Sequence, residues 1–399
     1  MKNAYIIDGI RTPIGKIGGA LSAVRPDDMA ADLIRELVKR NEFDTTQIED
    51  VILGNANGAG EENRNVGRMA LLLAGLPINV PGETVNRLCA SGLAAIVNAS
   101  RGLKLGEGDL YIAGGVENMT RAPYIMSKSS TAFGRDSQLF DTSLGWRLIN
   151  PKMKEMYGVD PMGETAENVA EQYNVSREDQ DKFALNSQMK ATKSRAEGIF
   201  KQEIHPVTIP NKKGDIIVSE DEFIRPETTM ESLAKLQPAF RKGGSVTAGN
   251  SSGLNDGAAV VLMASDEAVS KYNLKPRARV VSSAVVGVEP RIMGIGPIEA
   301  GKKALSKAGL TFADLDVIEL NEAFAAQALA VVRGWGLADD DSRINPNGGA
   351  IAIGHPLGMS GARLVITAMN ELERRGGRYA LCTMCIGVGQ GYAAVIERV

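Results

Sequence analysis

Glu49-Asp50-Val51-Ile52-Leu53-Gly54-Asn55 and Leu315-Asp316-Val317-Ile318-Glu319-Leu320-Asn321 read alike: an acidic turn, a short β-branched strand, then asparagine. The likeness continues in step. Ser91-Gly92 lies 36 residues beyond Asn55 and opens an Ala/Leu-rich helical stretch, followed by the strand Asp109–Ala113. Ser360-Gly361 lies 39 residues beyond Asn321 and opens ARLVITAMNELERRGG, followed by the strand Tyr379–Cys382. Gly257–Leu262 and Gly391–Ile396 match as well. A period shared by two halves is the mark of duplication. Short β-branched strands alternating with amphipathic helices predict an α/β layered fold.

The halves differ by one insertion of more than a hundred residues between Ala113 and Gly257. It is richer in polar and Met residues and predicts helices at 165–173 and 177–196, the second with Ser176 as N-cap and Asp179 at N3. The division expected is 1–120 with 250–275 as the first half, 121–249 as an inserted loop domain, and 276–399 as the second half. A long insertion is a lid over a site built by the two halves, or an exposed loop without function.

The 399 residues are 44% hydrophobic and carry a net charge of −3, enough for a packed core in two or three units. No run of like charge marks a nucleic-acid or membrane face. Three cysteines make no disulfide framework, which points to a reducing compartment. The start, MKNAYIIDGIRTPIG, is too short an apolar run for a signal peptide, and no apolar span is long enough for a bilayer. The C-terminus carries no peroxisomal address. A cytoplasmic protein is expected.

Cys89, in NRLCASG, sits between a predicted strand at 83–85 and a helix. There the positive end of the peptide dipoles favours thiolate, and Ala90, Ser91 and Gly92 leave room for a substrate carbonyl beside the backbone amides. A buried inert thiol in a small-residue turn fits the same residues. His355 is one of two histidines, the other being His205, and lies in a glycine-rich run, 345–361, that demands a geometric reason. The duplication sets its loop opposite that of Cys89, pairing a thiol with a general base. His205 has no such setting. Cys382 and Cys385 form a CxxC, but the pair ends a strand rather than starting a helix, and zinc would lack ligands. Cys385, entering the glycine turn CIGVGQG, reads better as a proton donor and acceptor, with Cys382 in the core. Asn321 fits an oxyanion or water contact and an Asx turn equally.

NRLCASG, NEAF at 321–324, GHPLGMSG at 354–361 and CIGVGQG at 385–391 resemble, in order and spacing, the four signature blocks of the thiolases. RTPIGKIGG and VTAGNSSGLNDGAA match too, so the resemblance covers the whole chain. It implies a duplicated five-layer αβαβα fold with an inserted loop domain that holds coenzyme A. It also implies cleavage of 3-ketoacyl-CoA by CoA through an acyl-Cys89. His355 would activate that thiol and, with a water held by Asn321, stabilise the enolate oxygen. Cys385 would be the acid/base at the α-carbon, and the amides of Cys89 and Gly387 the second oxyanion hole. Met162, Arg225, Phe240, Ala248 and Ser252 match positions that contact CoA, and Met293, Ala323 and Phe324 positions near the acyl pocket. CoA enters as substrate and product, with no metal or permanent cofactor, and the assembly implied is a homodimer or homotetramer.

Pro161 stands where short-chain biosynthetic members carry His. The stretches AGEENRNVGRMALLLAGLP and SLGWRLINPKMKEMYGVD look closest to degradative thiolases, including those that cleave 3-oxoadipyl-CoA. Rival readings are an acetoacetyl-CoA synthase of the same family, a ketoacyl synthase (which needs a second His), a papain-like hydrolase, and a non-catalytic protein of this fold.

Overall fold

The computed structural model describes residues 2–399. Its principal strands are β1 (Tyr5–Arg11), β2 (Asp50–Gly54), β3 (Gly82–Val85), β4 (Leu110–Asn118), β5 (Asn255–Ala264), β6 (Ala278–Gly287), β7 (Val317–Leu320), β8 (Tyr379–Ile386) and β9 (Gln390–Arg398). The helices that matter for the site are α1 (Pro26–Arg40), α2 (Val66–Leu73), α3 (Ser91–Leu105), α4 (Met162–Gln172), α5 (Arg177–Ala196), α6 (Gly296–Ala308), α7 (Ala325–Gly334) and α8 (Leu357–Arg375).

The strands follow the order β7-β8-β9-β6-β1-β5-β4-β2-β3, and the duplication is visible in it. In the first half β1 pairs antiparallel with β5, β5 antiparallel with β4, and β4 parallel with β2. In the second half β6, β9, β8 and β7 repeat those pairings in turn. Even the outer parallel strand β3 has its counterpart, an isolated parallel bridge between Ile318 and Ile344. The halves meet at a seam of two residue pairs, Tyr5 with Arg279 and Ile6 with Ala278.

Three apolar cores define the layers. Strand alternation sends Ala259, Val261 and Met263 of β5 to one face and Val260 and Leu262 to the other, and both sets are buried. The first set joins α3, α8 and inward residues of the second half, such as Tyr392, Ala394 and Ile396, in a central core. The second set packs under α1 and α2, while Ala393 and Val395 of β9 face α6 and α7. The result is helix, sheet, paired helices, sheet, helix: the five-layer αβαβα architecture.

Between β4 and β5 the chain forms α4, α5 and two small hairpins, Tyr124–Met126 with Leu139–Asp141 and Val207–Ile209 with Ile216–Val218. The Ser176 side chain caps α5 by accepting from Asp179 N–H. This helix grips the second half: Ser187 donates to Glu322 at 2.7 Å, and Ser194 to Asn347 at 2.9 Å. No helix among the described residues is long and apolar enough to cross a membrane.

Candidate active site

Cys89 lies in the turn between β3 and α3, just ahead of the first helical residue. Leu88, its neighbour, has a positive φ of 48°, unusual for a branched side chain. The turn is fixed by its own side chains. Asn86 Oδ1 accepts from Leu88 N–H at 2.9 Å, and Ser91 Oγ accepts from Arg87 N–H and donates to Leu88 O at 2.6 Å. Gly92 has a packing role as well. A Cβ on Gly92 would stand 2.5 Å from Gly358 O, so this glycine lets α3 and α8 cross closely at their N-terminal ends. Burial pushes the Cys89 thiol up to about 11, against the lowering effect of the Gly387 and Cys89 backbone N–H groups. Desolvation is the larger of these effects.

His355 precedes α8 in a loop held by the other half. Its N–H donates to Asn255 Oδ1 at 2.9 Å, and Gly358 N–H donates to Glu117 at 2.9 Å. The ring is buried, with Nδ1 2.6 Å from Ser360 Oγ and Nε2 3.3 Å from Asn321 Nδ2. Burial, then the Arg363 charge, lowers its pKa to about 3, so at neutral pH the imidazole is uncharged and can accept a proton. Arg363 is itself paired with Glu319 at 2.7 Å. Asn321 is held at the end of β7 through its N–H to Thr383 O at 3.0 Å, and its Oδ1 is buried with no protein partner among the described residues. A bound water would satisfy that acceptor.

Cys385 and Cys382 both lie on β8, three residues apart and therefore on opposite faces. Cys382 is in the central core, its thiol 3.6 Å from Leu364 O. Cys385 joins Ala166, Val246, Met293, Ala323 and Phe324, with Met162 alongside. Burial pushes the Cys385 thiol far up, and the neighbouring Cys89 adds to the effect. The CxxC is thus no pair, and Cys385 and Cys89 share a neighbourhood.

Met162, Met293, Ala323 and Phe324 come together around Cys385, and Phe240 meets Phe324 edge-on with ring centroids 6.2 Å apart. Ser252 N–H donates to Ala323 O at 3.0 Å. Arg225 and Ala248 are exposed and outside this cluster; Arg225 stacks on Phe223, and its N–H donates to Gln188 Oε1. Pro161 is the N-cap residue of α4 and offers no side-chain donor.

A cavity of about 330 Å³ opens beside Cys89, with Leu88, Met162, Gly387 and Val388 among its walls. Other lining residues were not singled out from the sequence: Asn57, Glu117, Leu357 and the segment Thr142–Arg147. Only the likeness of SLGWRLINPKMKEMYGVD to degradative thiolases hinted at that segment. Glu117 accepts from the N–H groups of Ala56, Asn57 and Gly358, and burial still pushes its carboxyl up to about 7. A thiol at a cavity, a neutral imidazole, a second thiol and converging backbone N–H groups are the parts needed for acyl transfer with proton transfer at carbon.

Residues 4–267 match the family model described as thiolase, N-terminal domain, and residues 274–398 match that for the thiolase C-terminal domain. An Acinetobacter baylyi protein named beta-ketoadipyl-CoA thiolase is 62% identical, over 100% of both chains. The 3-oxoadipyl-CoA/3-oxo-5,6-dehydrosuberyl-CoA thiolase of Escherichia coli is 59% identical, again over 100% of both. Among solved structures, the Bacillus anthracis acetyl-CoA acetyltransferase superposes with a TM-score of 0.93 at 41% identity, and human mitochondrial 3-ketoacyl-CoA thiolase with 0.93 at 40%. Each alignment covers 100% of this chain and 99% of the other.

Proposed function

This chain belongs to the thiolase family as an acyltransferase that cleaves 3-ketoacyl-CoA with CoA, and we propose that its substrate is a six-carbon dicarboxylic thioester, 3-oxoadipyl-CoA. Full-length identity of 59–62% to relatives named for that substrate carries the reading. Pro161, which removes a side-chain donor near CoA, speaks against a dedicated acetoacetyl-CoA synthase.

In the proposed reaction Cys89 Sγ attacks C3 of the substrate while its proton passes to His355 Nε2. The C3 oxyanion lies at the backbone N–H groups of Cys89 and Gly387, donors fixed in advance of the charge they meet. As the oxyanion collapses, the C2–C3 bond breaks and its electron pair becomes the enolate of acetyl-CoA. The protonated His355, with a water on Asn321, holds the enolate oxygen, and the Cys385 thiol protonates C2. Acetyl-CoA departs and leaves a succinyl group on Cys89. Cys385 then takes the proton of the incoming CoA thiol, whose sulfur attacks the acyl carbon. Cys89 leaves and recovers its proton from His355, so every proton is accounted for and each hard exchange is split in two. Met162, Phe240, Ala248, Ser252 and Arg225 fit the path of CoA, with residues 121–249 as its loop domain.

We also propose a homodimer or homotetramer in the cytoplasm. The edge strand β3 has an open side, and the Tyr124–Met126 hairpin carries exposed Tyr124, Met126, Phe133 and Leu139, surfaces suited to twofold pairing.

The test is steady-state kcat/KM with CoA and acetoacetyl-, 3-oxohexanoyl- and 3-oxoadipyl-CoA, joined to mass spectrometry of the Cys89 peptide. The highest value with 3-oxoadipyl-CoA and a succinyl adduct on Cys89 support the proposal. A preference for acetoacetyl-CoA would overturn the substrate, and an adduct on Cys385 alone would overturn the nucleophile.

A further inference from the structure

Among the described residues, Arg147 is the only cation lining the Cys89 cavity. The segment that carries it is tethered on both sides. Asn57 Nδ2 donates to Thr142 O at 3.1 Å and to its hydroxyl at 2.9 Å, and the Trp146 indole N–H donates to Asp160 O at 3.3 Å. Arg147 itself is weakly engaged. It is half-buried, and its guanidinium reaches only Gly145 O and Asn57 Oδ1, each at 3.4 Å, beyond the usual range for a good hydrogen bond. It has no carboxylate partner among the described residues. Glu117, the one acidic residue of the cavity, is instead satisfied by backbone N–H groups. A guanidinium presents five donors in a fork that matches a carboxylate, and a partly desolvated one without an anion is costly unless a ligand supplies it.

The cavity opens directly at Cys89, the residue that would carry the acyl chain. Of the residues assigned to the CoA path only Met162 touches it; Phe240, Ala248, Ser252 and Arg225 do not. Met293, Ala323 and Phe324 do not line it either, so a chain carried on Cys89 can extend past them towards Arg147. We infer that Arg147, positioned by Asn57 and Thr142, binds the terminal carboxylate of the acyl chain and sets the preference for dicarboxylic over neutral 3-oxoacyl-CoA. The inference rests on the substrate reading above. In the succinyl-Cys89 intermediate the carboxylate stands at the far end of the chain from the sulfur, while a neutral chain of equal length would leave the guanidinium unpaired.

The test compares 3-oxoadipyl-CoA with 3-oxohexanoyl-CoA, equal in carbon number and differing in the carboxylate. The readout is the ratio of their kcat/KM values in the wild type, Arg147→Met and Arg147→Lys. In Arg147→Met the ratio should fall roughly 10- to 100-fold, the range for a lost hydrogen bond to a charged group. Arg147→Lys should recover part of it, since a point charge attracts the carboxylate without the fork. Turnover of 3-oxohexanoyl-CoA reports that each variant is folded. An unchanged ratio in Arg147→Met, with the wild type still preferring 3-oxoadipyl-CoA, overturns the role of Arg147 and leaves the substrate class standing. A wild type that prefers 3-oxohexanoyl-CoA overturns the substrate class itself.

Discussion

Ser360 Oγ stands 2.6 Å from His355 Nδ1 and 2.8 Å from the carbonyl oxygen of Pro356. A hydroxyl has one proton, and a carbonyl can only accept, so Ser360 donates to Pro356 and accepts from Nδ1–H. That leaves His355 Nε2 as the unprotonated, accepting nitrogen, with the Asn321 amide as a donor to it at 3.3 Å. The tautomer that can take a proton from Cys89 is thus set by a serine one helical turn away.

Ser360→Ala should therefore release the tautomer and lower kcat/KM by about 10-fold, the upper range for a neutral hydrogen bond. Nitrogen-15 NMR reads the tautomer directly, because His205 is the only other histidine. A wild-type His355 protonated on Nε2 would sink the assignment.

Burial favours the neutral form of both Cys89 and His355. With Cys89 pushed up to about 11 and His355 down to about 3, a thiolate–imidazolium pair is scarcely populated at pH 7. Proton transfer then accompanies attack on bound substrate. Iodoacetamide labelling of Cys89 in the free enzyme, followed on its peptide, should keep accelerating above pH 9. A plateau complete by pH 8 would show a pre-formed thiolate.

The fold was legible because duplication leaves paired signals. The strand before Asn55 and the strand before Asn321 became β2 and β7, and helix 177–196 appeared with its Ser176 cap. The cavity beside Cys89 was not legible, since its wall is made where Asn57, Glu117, Thr142–Arg147 and Leu357 converge, with no period linking them. Gly92 shows a different limit. A glycine demanded by a neighbouring helix reads in sequence like one demanded by a ligand, and only the approach of Gly358 separates them. The thiol pKa values follow burial, which a motif does not state.

His355 also predicts the acid response of stability. Its folded pKa, about 3, lies below the ordinary 6.5, so between those values the unfolded chain binds a proton that the folded chain does not. Stability from this group is therefore complete above pH 6.5 and falls as pH drops towards 3, by up to about 1.4 kcal/mol per unit. Glu117, raised to about 7, works the other way, because the folded state gains its proton first. Urea unfolding at fixed protein concentration, from pH 7 to 5, should show His355→Asn losing less stability than wild type. Parallel curves would contradict a buried neutral imidazole.

The glycine turn after Cys385 separates two requirements. A Cβ on Gly387 would meet only Leu88 at 3.4 Å and Met162 at 3.7 Å, so Gly387→Ala should fold and instead narrow the cavity beside Cys89. Gly389 has a φ of 82°, and its Cβ would lie 2.2 Å from Val288 O, so Gly389→Ala should cost roughly 1–3 kcal/mol or more of stability. Melting temperatures and kcat/KM of the two variants test the split. A Gly387→Ala enzyme with unchanged kinetics would remove Gly387 from the site.

The two thiols can be told apart by following protons. In the proposed reaction, acetylation of Cys89 by acetyl-CoA breaks a thioester and releases a CoA sulfur, which takes its proton from Cys385. Only then is Cys385 a thiolate, able to remove a proton from the methyl group of a second acetyl-CoA. Burial among Met293, Ala323 and Phe324 holds its thiol protonated at rest, which suits this sequence of events. In Cys385→Ala the CoA thiolate is still an adequate leaving group, so Cys89 should still be acetylated, more slowly, as seen by mass shift. Exchange of the acetyl-CoA methyl protons with solvent deuterium, seen by proton NMR, should disappear, because Cys385 is the base proposed for that carbon. His355→Ala should impair both half-reactions, having a part in thiol activation and at the enolate oxygen. Methyl exchange at the wild-type rate in Cys385→Ala would place the base elsewhere. Failure of that variant to acetylate Cys89 would show that the leaving group cannot do without Cys385, and the separation of roles would be wrong.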